Sequence, residues 1–366
     1  GKQKIHFPRT VWPIPGTLTK PPPTGKASPS CGVLLAARLI TGNLLFSETP
    51  MNILFYGAGA LGQALGAMLA AAGHQVDLLL RPRFLEPIRT SGLRVTAIFG
   101  DFTAPPANCH PLASLGESRG PYDYVLLTTK AYDTEAAVAD IATLGERAGV
   151  VVSMQNGCGN VERVVAAFGP ERSLGARVIT GFALSAPGVA NITVCADAIH
   201  VGPSGGTVIP ATAARLAEAL AAAGHPTVAV PDINPSLFAK LLYNCALNPL
   251  GAILGVHYGL LGEREETRRI MDKVMDETFA VIDALGGRTP WASAAAYREV
   301  FYTTLLPVTY NHRASMLQDV ENGKPTEVDA LVGYVVSQGR RLGVATPTCE
   351  LLTELVRFKE AQGLAA

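Results

Sequence analysis

A near-continuous apolar run, Ile53-Leu54-Phe55, ends at Gly57, and an alanine-rich apolar stretch from Leu61 to Ala72 follows, closed by Gly73. That pattern predicts strand, tight turn and helix, and a second apolar run from Gln75 to Leu80 returns at the spacing of a βαβ unit. Phe84 to Ser91 reads as a short helix stopped by Gly92, and Leu93 to Phe99 as a strand. Residues 105–120 read as loop. Tyr122 to Thr129 is apolar almost throughout, as in a strand buried on both faces. A helix at Asp133–Leu144 and a strand at Val150–Met154 follow. Residues 174–201 alternate and contain Pro187-Gly188, predicting antiparallel or edge strands that extend the sheet. A helix at Pro210–Ala223 and a strand at Thr227–Val230 complete this part. From about Asn234 the strand pattern disappears, and helices are expected over 235–256, 263–285, 291–306, 310–321, 326–342 and 347–362. The expected organisation is an α/β domain over 51–230 and a helical domain over 231–366, divided near Pro231.

Residues 1–50 break the pattern. They hold Pro21-Pro22-Pro23, six basic residues and a single acid, Glu48, and Met51 stands directly before the first strand. The reading favoured is an extension, disordered or not native, with the functional chain starting at Met51; a basic, acid-poor transit peptide is the alternative. The run Cys31–Phe46 is shorter than a membrane span and carries Arg38 and Asn43. Formal net charge is zero and no basic run stands out, which argues against nucleic acid and membrane as main partners. The six cysteines form no C-x-x-C pair and the histidines no H-x-x-x-H pair, so neither a metal site nor a disulfide framework is signalled. A reducing, cytoplasmic setting fits.

The chemistry begins at the first turn. Gly57, Gly59 and Gly62 in Gly57-Ala58-Gly59-Ala60-Leu61-Gly62 follow G-x-G-x-x-G. The first glycine permits the turn, the second lets a pyrophosphate approach the backbone, and the third lets the helix pack on the strand. The helix N-terminus then faces the phosphates. The alternative is a bland glycine turn. Dinucleotide-binding units that use NAD place an acid at the end of the second strand; here Arg81 stands there, which suits a 2′-phosphate and favours NADPH. Its plain alternative is a solvated arginine. Lys130 and Asn156 lie at the carboxyl ends of later strands, where ligands sit in open α/β sheets. In the helical half, Lys240, Asn244 and Asn248 recur every four residues and share one face of a largely apolar helix. Buried there they need partners, which a ligand with a carboxylate and a carbonyl would supply; a polar stripe satisfied by backbone or water is the alternative. Ser315 has no nucleophile elbow around it. Glu327 is equally explained as an acid in a helix's first turn, with Thr326 as cap.

Taken in order, the glycine loop, Arg81, Lys130-Ala131-Tyr132-Asp133-Thr134, Gln155-Asn156-Gly157, Lys240-x-x-x-Asn244-x-x-x-Asn248-Pro249 and Ser315-Met316-x-Gln318-Asp319 through Thr326-Glu327 resemble the ketopantoate reductase family from Met51 to near the C-terminus. The resemblance implies a Rossmann-like N-terminal domain, an all-α C-terminal domain and a substrate cleft between them. It implies NADPH-dependent reduction of 2-dehydropantoate to (R)-pantoate, a step toward pantothenate and coenzyme A. Lys240 is then the catalytic lysine at the keto oxygen and Glu327 its acidic partner. Asn244, Asn248 and Ser315 bind substrate, and the glycine loop, Arg81, Lys130 and Asn156 line the cofactor. The implied partner is a small 2-oxo acid, with room for a homodimer. Ala314 and Val332 depart from the family's usual serine and asparagine and bear on substrate identity. A reductase of another 2-oxo acid, and an NADPH-binding regulator without catalysis, are the alternatives.

Overall fold

The computed structural model describes residues 49–364. The extension expected over 1–50 lies outside them, apart from Thr49 and Pro50. The chain runs β1 (Asn52–Tyr56), α1 (Ala60–Ala71), β2 (Gln75–Leu79), α2 (Leu85–Ser91), β3 (Leu93–Ala97), β4 (Gly100–Ala104), β5 (Cys109–Leu112), β6 (Tyr124–Leu127), α3 (Thr134–Ala142), β7 (Val150–Ser153) and α4 (Asn160–Phe168). It continues through β8 (Ser173–Arg177), β9 (Thr180–Ala186), β10 (Val189–Cys195), β11 (Ile199–Gly202), α5 (Ala211–Ala222) and β12 (Thr227–Ala229). Only helices follow: α6 (Asn234–Leu254), α7 (Tyr258–Glu263), α8 (Glu265–Ala284), α9 (Ala294–Val300), α10 (Ser315–Glu321), α11 (Val332–Leu342) and α12 (Pro347–Leu364).

Eight strands form one sheet in the order β12-β11-β8-β7-β6-β1-β2-β5. The pairs from β8 to β5 are all parallel, and β11 joins β8 antiparallel. β1 is followed by β2 on one side and bounded by β6 on the other. The strand order therefore reverses at β1/β6, and the crevice at their carboxyl ends is the natural ligand site of such a sheet. Leu54, Phe55, Val125 and Leu126 are wholly buried, which explains the continuous apolar runs: both faces of the sheet are covered.

The strands expected to extend the main sheet divide. β8 and β11 do extend it, whereas β9 and β10 pair with β3 and β4 in a separate sheet of order β4-β3-β10-β9. α1 lies between the two sheets, and every residue from Gly62 to Ala70 is buried. A helix covered on both sides needs no polar face, hence its alanine-rich, non-amphipathic composition. The loop expected over 105–120 contains β5, an edge strand, and α4 was not anticipated. The expected helix over 263–285 breaks at Arg264, which is extended (φ −101°, ψ 131°). The expected helix at 310 starts only at Ser315, and that at 326 becomes a 3₁₀ turn at Val328–Ala330 before α11.

α6 is the axis of the helical part, packed by α8, α10 and α12. Leu242, Cys245, Ala246 and Leu247 are wholly buried. It is long and apolar enough to cross a membrane by length and composition, but most of it is buried inside the fold, as a core helix is.

Candidate active site

The glycine turn closes tightly on the end of β6. Gly57 has φ +80°, and a Cβ there would stand 2.2 Å from the Thr129 methyl, so only glycine fits. The Thr128 hydroxyl donates to the carbonyls of Tyr56 and Gly57, both at 3.2 Å. Gly62 packs against Thr128, Ala58 and Phe55, consistent with close helix–strand contact. The Ala58 N–H is spent on the Leu79 carbonyl (3.0 Å) and that of Gly59 on the Gly57 carbonyl (2.7 Å). Ala60, Leu61 and Gly62 open α1, where backbone N–H groups lack an intrahelical partner, and no side chain caps that end. A Cβ on Gly59 would meet nothing nearer than the Gly57 oxygen at 4.0 Å. The turn thus has an open approach with three donors behind it, and these residues fit a dinucleotide pyrophosphate. Arg81 stands exposed just past β2, two residues beyond the Leu79 that ties that strand to the turn.

Beyond the end of β7 lies a connected polar cluster. The Lys240 ammonium donates to Asn156 Oδ1 (2.6 Å) and to the Val178 carbonyl (2.7 Å). Asn156 Nδ2 donates to Glu327 Oε2 (3.1 Å). The other Glu327 oxygen accepts from the Ala131 N–H (3.0 Å). Lys130 Nζ lies 3.4 Å from Glu327 and 2.6 Å from Asp319. Glu327 is buried and is itself the N-cap of the 3₁₀ turn, which has no side-chain cap; Thr326, expected as the cap, accepts from the Val328 N–H at 3.2 Å from one residue further out.

Five side chains from five parts of the chain meet here: Lys130 after β6, Asn156 after β7, Lys240 on α6, Asp319 on α10 and Glu327 before α11. The loop holding Asn156 is pinned. Asn160 donates to the Asn156 carbonyl (2.8 Å), and Gln155 donates to the Thr134 hydroxyl (2.9 Å). Gly157, with φ +81°, presses on Ala330 so closely that a Cβ would sit 2.2 Å from its carbonyl oxygen, and the Cys158 N–H donates to that oxygen.

Burial lowers the Lys240 pKa to about 8; Glu327 opposes the fall and Arg177 adds to it. For Lys130 the order of effects differs. Burial pulls its pKa down, yet Glu327 and Asp319 together outweigh it and hold the ammonium above its ordinary value. Burial raises the Asp319 carboxyl against the opposing pull of Lys130.

Asn244 and Asn248 continue the Lys240 face of α6, both buried. Asn248 accepts a hydrogen bond from the Tyr258 hydroxyl, and the Asn244 side chain makes no hydrogen bond among the described residues. Ser315 is exposed at the start of α10. Arg81, Ser315, Asn244 and Asn248 therefore lie outside the hydrogen-bonded cluster, while Lys240, Asn156, Glu327 and Lys130 form it. Ala314 and Val332 are both wholly buried, and Ala314 packs beside Gly251 of α6. Asp319 and the Val178 carbonyl had not been singled out. Asp319 carries a signal, since it lies one helical turn after Ser315 in a motif already noted; a backbone carbonyl carries none.

The comparisons with known proteins agree with one another. The family model described as "Ketopantoate reductase PanE/ApbA" matches residues 53–206, and "Ketopantoate reductase PanE/ApbA C terminal" matches residues 232–360. A 2-dehydropantoate 2-reductase of Aquifex aeolicus is 38% identical over 311 residues, covering 85% of this chain and 97% of that protein. The crystal structure of a PanE/ApbA family ketopantoate reductase from Ralstonia eutropha is 31% identical, with a TM-score of 0.73, over 86% of this chain and 99% of that one. A D-mandelate dehydrogenase solved with NADH and anilino(oxo)acetate is 26% identical, with a TM-score of 0.74, over 86% of this chain and 99% of that one. With both halves matched in order by one family, the chain belongs to the ketopantoate reductases, oxidoreductases that act on a keto or CH–OH group.

Proposed function

We propose that this chain reduces 2-dehydropantoate to (R)-pantoate with NADPH, in a cleft between a dinucleotide-binding part over 51–230 and a helical part over 231–366. The carrying observation is the hydrogen-bond count at Lys240. An ammonium has three N–H donors. Two are held by Asn156 and the Val178 carbonyl, which leaves the third for a substrate oxygen. When bound, the nicotinamide supplies the hydride. As negative charge grows on the keto oxygen, Lys240 stabilises it and delivers a proton. A pKa of about 8 suits this work: the group is protonated at neutral pH and gives up its proton more readily than an ordinary lysine. Asn156 and Glu327 aim the ammonium, and Asn244, Asn248 and Ser315 offer neutral donors for the substrate's carboxylate and hydroxyl. Arg81, exposed beside the glycine turn, is suited to a 2′-phosphate.

The test is NADPH oxidation at 340 nm with 2-dehydropantoate, beside NADH and a panel of 2-oxo acids. Lys240→Ala is expected to lower turnover about a hundredfold or more while NADPH binding stays within a few-fold. Unchanged turnover would remove Lys240 from the mechanism. The likeness to a D-mandelate dehydrogenase keeps a second reading open, in which the same machinery serves another 2-oxo acid. Activity on an aryl 2-oxo acid with none on 2-dehydropantoate would select it.

A further inference from the structure

The elements that carry Lys240, Asp319 and Glu327 share one neighbour, the last helix. α12 packs against α6, α10 and the 3₁₀ turn at Val328–Ala330. Three side chains near its C-terminal end tie it to them. Lys359 donates to the Ala252 carbonyl of α6 at 3.1 Å, Arg357 donates to Asp329 at 2.8 Å, and Glu360 Oε1 accepts from the Thr326 N–H at 2.6 Å. The last two ties differ in kind. The Arg357 and Asp329 side chains are 49% and 75% exposed, and an ion pair in solvent contributes little. Thr326 is buried, and a carboxylate on a buried N–H makes a short, directed, charge-assisted bond.

The place of that bond matters. α10 ends at Glu321, and Gly323, with φ +60°, turns the chain. The Lys324 N–H returns to the Asp319 carbonyl at 2.9 Å, and Pro325 has no N–H to donate. Thr326 is therefore the first residue past Lys324 whose N–H can anchor the chain, and Glu327 follows it directly. At the far end of the turn the Ala330 carbonyl accepts from the Cys158 N–H at 2.9 Å. Between these two anchors the Glu327 carboxylate reaches the Ala131 N–H and Asn156.

We propose that Glu360 is a positioning residue for Glu327: by holding the Thr326 N–H it fixes the backbone from which the Glu327 carboxylate reaches Ala131 and Asn156. The inference deepens the proposed function and rests on Glu327 aiming Lys240 through Asn156. Among the described residues Glu360 makes no hydrogen bond to Lys240, Asn156 or Glu327, so its effect passes through the Thr326 backbone.

In the full chain Glu360→Ala removes the acceptor and Glu360→Gln keeps one. The alanine variant should lower kcat/KM for 2-dehydropantoate about tenfold, the size of one lost charge-assisted hydrogen bond, with NADPH affinity by fluorescence within about twofold of wild type. The glutamine variant should recover most of the loss. The bond from Ala131 to Glu327 is read without turnover, by hydrogen exchange of protein labelled with ¹⁵N-alanine. The Ala131 amide should exchange about tenfold faster in Glu360→Ala and near the wild-type rate in Glu360→Gln, while Ala64 and Ala67, buried in α1, keep their rates. Arg357→Ala, which breaks only exposed pairs, should move neither reading. If Glu360→Ala does not fold, Glu360→Asp, whose carboxylate falls one methylene short, replaces it with the same expectations. An Ala131 amide at its wild-type rate overturns the proposal. So does equal acceleration of Ala64 and Ala67, or equal damage from Glu360→Gln. If the Ala131 amide moves as expected while kcat/KM stays fixed, the positioning stands and the part given to Glu327 in the reaction fails instead.

Discussion

Keeping the Lys240 ammonium buried has a measurable cost in stability. The drop in the Lys240 pKa from the usual 10.5 to about 8 means that the folded chain resists the charged form. At about 1.36 kcal/mol for each tenfold change in ionisation constant, the penalty is about 3 kcal/mol. Its pH window follows from proton counting. Below pH 8 both folded and unfolded chains hold the proton and the whole penalty is present. Between pH 8 and 10.5 the unfolded chain keeps a proton that the folded chain has released, so stability rises with pH. Above 10.5 the penalty is gone. Lys240→Met deletes this titration. It also deletes the bonds to Asn156 and Val178, but those add an offset that does not vary across this range. Urea unfolding of both proteins at several values between pH 7 and 10.5 therefore isolates the effect. Wild type minus variant should climb by about 3 kcal/mol across the window. A difference flat to within ~0.5 kcal/mol, about the spread expected of a surface substitution, would refute the burial argument.

Three further outcomes follow from the same geometry. Asn156→Ala removes the acceptor that aims Lys240 and a donor to Glu327, so kcat/KM for the 2-oxo acid should fall about ten- to a hundredfold, with NADPH affinity by fluorescence nearly unchanged; equal loss of both would make Asn156 a general structural residue. The glycines of the turn should separate. Gly57→Ala must clash with Thr129 and lower the unfolding midpoint, whereas Gly59→Val has open space and should fold normally yet bind the dinucleotide at least tenfold more weakly by calorimetry. Arg81→Ala, exposed, should leave thermal stability unchanged and raise KM for NADPH about tenfold while KM for NADH hardly moves; equal effects on both would remove Arg81 from the 2′-phosphate.

The β1-turn-α1 unit was legible because an apolar run, a fixed glycine spacing and an alanine-rich helix leave few other readings. β5 was not, because Cys109-His110-Pro111-Leu112 has no alternation, and it is a strand only through its pairing with β2. Alternation in 180–195 announced strands but could not say which sheet they join, since that depends on β3 and β4 lying across α1. α4 is short and begins directly after two positive-φ glycines, so it was submerged in a loop. At the site, the i, i+4 spacing gave the Lys240 face, but only the order of motifs linked it to Asn156 and Glu327. Those residues are 84 and 171 positions apart in their contacts, and pairings at such range leave no periodic trace.

The charges in the cluster explain why its donors divide as they do. Lys130 and Lys240 face Asp319 and Glu327, two cations against two carboxylates. Such a set offers little net attraction to an anionic substrate, and a substrate carboxylate that took Lys240 for itself would leave the keto oxygen without a proton donor. On the proposed function, neutral Asn244, Asn248 and Ser315 are therefore the better hosts for the carboxylate. Lys130 meanwhile occupies Glu327 from one side, while Asn156 takes the same carboxylate from the other and hands orientation to Lys240. Glu327 has a further consequence. Burial and Arg177 both push Lys240 toward the neutral amine, and Glu327 is the largest opposing influence. A buried carboxylate held by the Ala131 N–H, Asn156 and Lys130 thus favours the protonated form of Lys240, which on the proposed function is the proton donor that completes the reduction.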